Sequence, residues 1–136
     1  MAKRIVTAVV LAAGQGKRMK STLPKVLQPV LGKRMIACVL DSLREAGIDR
    51  PIVVVGHGGE QVIEVLGDRA TFAWQKEQLG TGHAVQCALP QLERIEGDVI
   101  VTCGDTPLIS PQSYIALLEE RTRGGYAAVA ASMVLE

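Results

Sequence analysis

The sequence predicts an α/β fold, in which a mostly parallel sheet has helices on both faces. Apolar runs rich in β-branched residues alternate along the chain with segments whose apolar residues recur at helical spacing. Of the 136 residues 48% are apolar and only 3% are aromatic, so the core must be mostly Val, Leu, Ile and Ala. Such a core is typical of a parallel sheet that is buried on both faces.

The first half of the chain contains two of these strand-and-helix pairs. Its predicted elements are, in order, strand 5–11, an extended piece at 26–31, a helix at about 34–46, strand 51–55 and a short helix around 62–66. Gly47 and Gly67 end the two helices, because glycine adopts at little cost the left-handed conformation common at helix C-termini.

The second half continues the alternation. Its predicted elements are strand 71–74, a helix that begins near Thr81, strand 98–103, a helix that begins after Ser110 and ends at 124–125, and a further strand over 127–135. Thr81 and Ser110 are the expected N-caps, and Pro111 suits the first helical position. Pro90 should kink or end the helix in which it falls. Short connections between such elements predict right-handed βαβ units and therefore a Rossmann-like sheet.

The length fits one domain, which we assign to residues 1–136 as a portion of a larger domain. The chain stops at Glu136, directly after a strand-like run, so we expect a domain truncated at its C-terminus.

The net charge and the spacing of the cysteines limit the classes of protein to which the chain can belong. A net charge of +1 provides no global field that would select nucleic acid or a membrane surface. Cys38, Cys87 and Cys103 are widely separated without metal-ligand spacing, which indicates a reducing compartment, most simply the cytoplasm. We find no signal peptide and no apolar segment of the roughly 20 residues that a bilayer requires.

The loop after the first strand, residues 12–25, is rich in glycine and positive charge, and we call it the phosphate loop. Glycine lets backbone N–H groups approach an anion, and Lys17, Arg18, Lys20 and Lys25 supply the charge that a polyphosphate requires. The Walker A pattern is absent, and Met19 stands where the dinucleotide fingerprint needs its third glycine. The alternative is an ordinary turn with solvated lysines, but four neighbouring cations favour phosphate binding.

Candidate groups follow four of the predicted strands. They are the phosphate loop, the turn at 56–58, Gln75, and Gly104 with Asp105. Ligands of open α/β sheets bind outside the carboxyl ends of the strands, so these groups should meet at one edge. Asp98 precedes its strand and should lie at the opposite edge. Asp105 is the predicted Mg²⁺ ligand, since Mg²⁺ is usually held by one or two carboxylates plus phosphates. The alternative role for Asp105 is to cap the following turn.

Two amides suggest base recognition. Gln75 and Gln78 each carry a donor and an acceptor, as does the edge of a pyrimidine, and Gly80 would let the backbone approach the base. The alternative is a polar surface loop.

The motif L-A-A-G-x-G-x-R-M, followed by L-P-K, resembles that of the sugar-phosphate nucleotidyltransferases, which make nucleoside-diphosphate sugars and include cytidylyltransferases. Two later stretches, residues 75–84 and 104–109, limit the resemblance to one branch of this family. Together the three stretches are similar to the uridylyltransferase domain of the bifunctional N-acetylglucosamine-1-phosphate uridylyltransferase / glucosamine-1-phosphate acetyltransferases. The resemblance runs across the whole chain.

The resemblance implies roles for individual residues. Gln75, Gly80 and Thr81 would recognise uracil, Arg18 would bind the departing pyrophosphate, and Lys25 would lie near the phosphate in transfer. With Asp105 as the metal ligand, the implied catalytic residues are Arg18, Lys25 and Asp105. The implied UTP-binding residues are Leu11, Ala12, Ala13, Gly14, Gly16, Lys25, Gln75, Gln78, Gly80, Thr81 and Gly104.

The implied reaction converts UTP and N-acetylglucosamine 1-phosphate to UDP-N-acetylglucosamine and pyrophosphate with Mg²⁺, for cell-envelope (peptidoglycan) precursor synthesis. The attacking sugar phosphate is already an anion, so no base is needed and catalysis rests on positioning and charge stabilisation. We therefore interpret His57 as a turn residue and His83 as a polar residue at a helix start. Cys103 has no basic partner in the sequence and is interpreted as an inert strand cysteine.

Two alternatives stay open at this point. One is another nucleotidyltransferase, such as a cytidylyl- or guanylyltransferase, and the other is a non-catalytic nucleotide-binding module. In the family, the sugar-binding residues and a further metal ligand come largely from sequence beyond Glu136. The acetyltransferase β-helix domain, through which family members trimerise, is absent, so we expect this chain alone to be weakly active or inactive.

Overall fold

The computed structural model describes residues 5–14, 22–132 and 134. The strands are β1 (Val6–Ala12), β2 (Pro29–Val30), β3 (Lys33–Arg34), β4 (Ile52–Val55), β5 (Thr71–Trp74) and β6 (Asp98–Cys103). The helices are α1 (Met35–Glu45), α2 (Gly59–Leu66), α3 (Thr81–Cys87), α4 (Leu89–Leu92) and α5 (Pro111–Gly124), with single 3-10 turns at Lys25–Leu27 and Gly67–Arg69.

The main sheet has four strands in the order β5-β4-β1-β6, and every neighbouring pair is parallel. Val9 of β1 faces Ile52 of β4 on one side and Val101 of β6 on the other. Because β1 and β4 are the inner strands, all of β4 and the middle of β1, Ala8–Val10, are buried. The predicted parallel α/β sheet is confirmed.

Helices cover both faces of this sheet. Val10 and Val53 point to one face, where they pack with apolar residues of α1, α2 and α5. Val9 and Val54 point to the other face, where they pack with Ala84 of α3 and with Ala88. This division follows from the two-residue period of a strand, which sends neighbouring side chains to opposite faces. No helix among the described residues is long and apolar enough to cross a membrane.

The extended piece predicted at 26–31 differs in detail. Its first residues form the 3-10 turn, and β2 then pairs with β3 in an antiparallel hairpin. Leu31 and Gly32, at the tip of this hairpin, both have positive φ, at 51° and 80°. Two-residue hairpin loops of this kind require positive φ at both positions. Only one of the two positions is a glycine, Gly32, so the sequence did not predict the hairpin.

The helix around Thr81 also needs a correction. Thr81 is the first helical residue rather than the cap, and Gly80 occupies the N-cap position with no side-chain hydrogen bond. The expected interruption near Pro90 is confirmed, because α3 ends at Cys87 and Pro90 lies in the first turn of α4. Ser110 caps α5 as predicted, since its side chain accepts a hydrogen bond from the backbone N–H of Ser113.

The strand predicted over 127–135 is wrong for the residues that the structure describes there, which belong to no strand. Residues 127–131 line a groove together with Val99 and Val101 of β6, but form no β-ladder with that strand. An apolar, β-branched pattern makes a strand only where a hydrogen-bonding partner is aligned with it.

Candidate functional site

The carboxyl ends of the parallel strands meet at one edge, as expected, and an open cavity of about 310 Å³ lies there. Most of the predicted binding residues line it: Leu11, Ala12, Ala13, Gly14, Lys25, Gln75, Gln78, Gly80, Thr81 and Asp105. Val26, Ala84 and Cys103 complete its wall. The structure thus brings together residues from four separate parts of the chain.

The charged side of the cavity is an ion pair between Lys25 and Asp105. Lys25 Nζ lies 2.9 Å from Asp105 Oδ2, although the two residues are 80 positions apart. The lysine side chain is 43% exposed and the aspartate side chain 34%. Exposed ion pairs contribute little to stability. Both groups can therefore exchange their present partner for a ligand, a phosphate at the lysine and a cation at the aspartate.

Gly104 lies behind this wall. Its backbone N–H donates to the Leu11 carbonyl at 2.9 Å, which ties the end of β6 to the end of β1. A Cβ at this position would lie 3.0 Å from Val26 Cγ1. Gly104 thus lies between two residues that line the cavity, Cys103 and Asp105, without lining it itself, and its role in UTP binding stays a prediction.

The opposite side of the cavity is built by the loop after β5. Gln78 Nε2 donates to the Ala13 carbonyl at 2.8 Å and so links this loop to the end of β1. The contact depends on Gly56, where a Cβ would lie 2.9 Å from Gln78 Nε2 and 3.0 Å from the Ala13 oxygen. The sequence placed Gly56 in the candidate turn at 56–58 but did not predict its contact with Gln78, because the two residues are far apart in the chain.

Gln75 is 3% exposed, so the surface-loop alternative does not hold for it. Its backbone N–H donates to the Val55 carbonyl at 2.8 Å. Its side-chain Nε2 donates to the Gly80 carbonyl at 3.1 Å and lies 3.0 Å from His83 Nδ1. Gly80 has a φ of 103°, which only glycine adopts without strain. The side-chain amide of Gln75 thus links the backbone at Gly80 to His83 in the first turn of α3.

The two histidines have different surroundings. His57 lies in the turn between β4 and α2, as predicted. His83 lies in the first turn of α3, also as predicted, but it contacts Gln75 and lies with Nε2 4.0 Å from Cys87 Sγ. Sequence reasoning missed the contact between His83 and Gln75, because the two residues are separated by a loop.

Cys103 lies at the cavity next to Asp105. Burial raises the pKa of its thiol above the ordinary value of 9.0, the negative charge of Asp105 raises it further, and Lys25 lowers it. The group is therefore a neutral thiol at physiological pH and a poor nucleophile. This agrees with the interpretation of Cys103 as inert.

Some predicted groups fall outside the described part of the chain. Gly16, Lys17, Arg18 and Lys20 belong to residues 15–21, so their roles stay predictions. Within the described residues, no three His, Cys, Asp or Glu side chains are grouped so that they could hold a metal ion. Asp98 lies at the opposite end of β6, as expected, and pairs there with Arg121 at 2.7 Å.

Residues 8–134 match the family model of the MobA-like NTP transferase domain. The chain belongs to this family. It is 56% identical over 119 residues to the bifunctional protein GlmU of Heliobacterium modesticaldum, covering 88% of the chain and 26% of that protein. The GlmU of Bacillus cereus strain AH187 is 48% identical over 129 residues, covering 95% and 28%. The resemblance inferred from the motifs is thus confirmed.

A solved structure supports the fold. HddC from Yersinia pseudotuberculosis, in complex with GMP-PN, superposes with a TM-score of 0.68 and 27% sequence identity, covering 86% of this chain and 54% of that one. The chain therefore spans about half of this structural relative and about a quarter of the GlmU proteins.

Proposed function

We propose that the chain is the nucleotide-binding portion of a nucleotidyltransferase that makes UDP-N-acetylglucosamine and pyrophosphate from UTP and N-acetylglucosamine 1-phosphate. The observation that carries the proposal is the arrangement of one cavity. Buried and loop amides lie at one side, the Lys25–Asp105 pair lies at the other, and the backbone of residues 11–14 lies between them.

This arrangement matches the two ends of a nucleoside triphosphate. Gln75, Gln78 and Gly80 offer amide and backbone groups of the kind that read a base edge. Lys25 offers a cation of the kind that binds phosphates as a point charge. The 48–56% identity to the GlmU proteins favours UTP and an amino-sugar phosphate over the substrates of other family members.

The proposed chemistry is an in-line displacement. An oxygen of the sugar phosphate attacks the α-phosphorus of UTP, the bond to the β-phosphate oxygen breaks, and pyrophosphate leaves with both electrons of that bond. No proton has to be removed from the nucleophile, because it is already an anion. Lys25 and Arg18 stabilise the charge that develops on the phosphoryl oxygens.

Asp105 suits a magnesium ion. Its carboxylate is an oxygen ligand of the type that Mg²⁺ prefers, and it is partly exposed at the cavity. Its partner Lys25 is a group that an incoming phosphate would attract. Asp105 would therefore hold the ion, and the ion would neutralise phosphate charge. We propose the cytoplasmic setting that the cysteines indicated and the place in peptidoglycan precursor synthesis that the resemblance implied, with trimerisation through a separate domain.

Calorimetric titration with UTP, CTP, GTP and ATP, each with and without Mg²⁺, tests the proposal. We expect UTP to bind more tightly than the other three nucleotides and Mg²⁺ to strengthen that binding. Equal binding of all four would contradict base recognition. Preference for CTP or GTP would assign the chain to another branch of the family.

A further inference from the structure

We propose that His83 is a positioning residue that makes Gln75 a pure hydrogen-bond acceptor toward the nucleotide, and thereby selects bases with an N–H donor in the ring. The inference rests on the proposed nucleotide site. It concerns a residue that contacts Gln75 and that neither the motif analysis nor the comparisons assign.

The orientation of the Gln75 amide follows from one contact. The Gly80 carbonyl lies 3.1 Å from one of the two terminal atoms of this amide. A carbonyl oxygen can only accept a hydrogen bond, so the atom that faces it must be the nitrogen, Nε2. The opposite orientation would place two acceptors against each other inside a buried side-chain environment, which is costly.

The same nitrogen lies 3.0 Å from His83 Nδ1. An amide nitrogen only donates, so His83 must accept at Nδ1, and the proton of its neutral ring must be on Nε2. This Nε2–H faces Cys87 Sγ at 4.0 Å, and sulfur is a weak acceptor. Both N–H groups of Gln75 are thus committed to protein partners, one to Gly80 and one to His83.

The remaining polar atom of the side chain is Oε1. Among the described residues, no buried side-chain nitrogen or oxygen lacks a hydrogen-bond partner, and the hydrogen bonds described for this side chain all involve Nε2. Oε1 is therefore not sealed in the core, although Gln75 as a whole is only 3% exposed. Since Gln75 lines the cavity, this oxygen is available there as an acceptor.

An acceptor at this place distinguishes the bases. Uracil carries a donor at N3, which Oε1 can accept from, whereas N3 of cytosine is itself an acceptor. Facing cytosine, Gln75 could offer a donor only by turning its amide over, which would break its bonds to both Gly80 and His83. Sites built to hydrogen-bond a substrate group reject analogues that leave a buried polar atom unpaired. His83 thus raises the cost of the wrong base.

The ring tautomer tests the first step directly. The chain has two histidines, so ¹⁵N NMR of the full chain can assign both, with a His57→Gln variant to separate the signals. We expect neutral His83 to carry its proton on Nε2. A predominant Nδ1–H tautomer would overturn the inference, and this readout does not depend on nucleotide binding.

A matched pair of variants tests the second step. His83→Asn keeps an acceptor near the place of Nδ1, and His83→Leu removes it while keeping an apolar side chain. Binding of UTP and CTP is followed by the fluorescence of Trp74, the single tryptophan, which precedes Gln75. The leucine variant should lose about tenfold in preference for UTP over CTP, the equivalent of one hydrogen bond, and the asparagine variant should retain most of it.

The outcomes separate the two hypotheses. If both variants lost the preference for UTP over CTP to the same extent, His83 would have a merely structural role and the inference would be overturned. The same holds if the variants bound UTP and CTP equally more weakly. If the unaltered chain binds no nucleotide, the proposed function fails, whereas the tautomer of His83 still decides whether Gln75 is held as an acceptor. His57→Asn serves as the control variant, since that residue lies in a turn outside the cavity lining.

Discussion

Cys103 and Asp105 lie two residues apart at the end of β6, and the charge of the aspartate adds to the effect of burial on the thiol. Burial and Asp105 both raise the pKa of Cys103, and Lys25 opposes them. The thiolate is the form that attacks an alkylating reagent, so Cys103 should be alkylated slowly at pH 7–8. Its alkylation rate should rise only as the pH approaches the raised pKa of the thiol.

Asp105→Asn should therefore lower the pKa of Cys103 and speed its alkylation at pH 8, and Lys25→Met should slow it. Iodoacetamide labelling followed by peptide mass spectrometry measures the rates, with Cys38 in the same chain as the internal reference. A matched Asp68→Asn change, remote from the cavity, should leave the rate at Cys103 unaltered. An unchanged rate in Asp105→Asn would disprove the electrostatic coupling.

Gly56 shows how a missing side chain can position a binding group. Gly56→Ala would force the new methyl against Gln78 Nε2 and the Ala13 carbonyl. We expect a loss of about 1–3 kcal/mol in the free energy of unfolding, as for other overpacked sites, together with weaker UTP binding. Urea unfolding and calorimetry measure the two effects.

Gly82→Ala is the matched control for that experiment. A Cβ at Gly82 meets no atom within 4 Å, and the residue lies in α3. Alanine is the better helix former, so this change should leave stability unchanged or raise it by up to about 1 kcal/mol. If Gly56→Ala behaved like Gly82→Ala, the close approach at Gly56 would not matter.

At the scale of elements, β6 and α5 are joined by a polar contact inside an apolar core. Thr102 Oγ1 and Tyr114 Oη lie 3.0 Å apart, and both side chains are buried. Burial also raises the pKa of Tyr114 above 10.0, and its hydrogen bond to Thr102 opposes that rise. The tyrosine is therefore a neutral hydroxyl at physiological pH, paired with the threonine.

Tyr114→Phe should cost about 1–2 kcal/mol in the free energy of unfolding, because it leaves the Thr102 hydroxyl buried without its partner. The double variant with Thr102→Val should cost less than the sum of the two single changes, since it removes both hydroxyls. Chemical denaturation of the unaltered chain, the two single variants and the double variant gives the coupling free energy between the two hydroxyls. Strict additivity would show that the hydrogen bond contributes nothing.

Several elements lie where the local pattern of the sequence predicted them. Strand 71–74, strand 98–103 and helix α5 lie where the sequence predicted them, within a residue. The hairpin β2–β3 and the end region after 127 were not predicted correctly. In both places the outcome depends on pairing with another segment, which a local pattern does not contain.

At the scale of the whole molecule, the Lys25–Asp105 pair joins the phosphate loop to β6 and couples the two ligands of the proposed site. In the proposed site, phosphate binding would withdraw Lys25 from Asp105 and would leave the carboxylate free for the cation. Binding of nucleotide and of Mg²⁺ should therefore be mutually favourable, as linkage requires.

Asp105→Asn should abolish the strengthening of UTP binding by Mg²⁺ and leave binding without the metal equal or slightly tighter, because Lys25 is then unpaired. Calorimetric titration at several Mg²⁺ concentrations measures the coupling. Asp68→Asn is again the control. Full Mg²⁺ dependence in the Asp105 variant would show that the ion is held elsewhere.

The sequence by itself determined the fold class, the order of most elements and the edge at which the functional residues gather. These features follow from local patterns, since the periods of strands and helices and the glycines at strand ends lie within a few residues of one another. For the same reason, the sequence was sufficient to predict Lys25, Gln75 and Asp105 as residues of the site.

Only the tertiary structure decided which of those residues touch. The order β5-β4-β1-β6 sets Lys25 against Asp105 and Gln78 against Ala13, with Gly56 next to the second pair. The burial of Gln75 against His83 likewise depends on how a loop returns to the start of α3. Contacts between residues far apart in the chain depend on the global packing of strands and helices, and no local pattern encodes them.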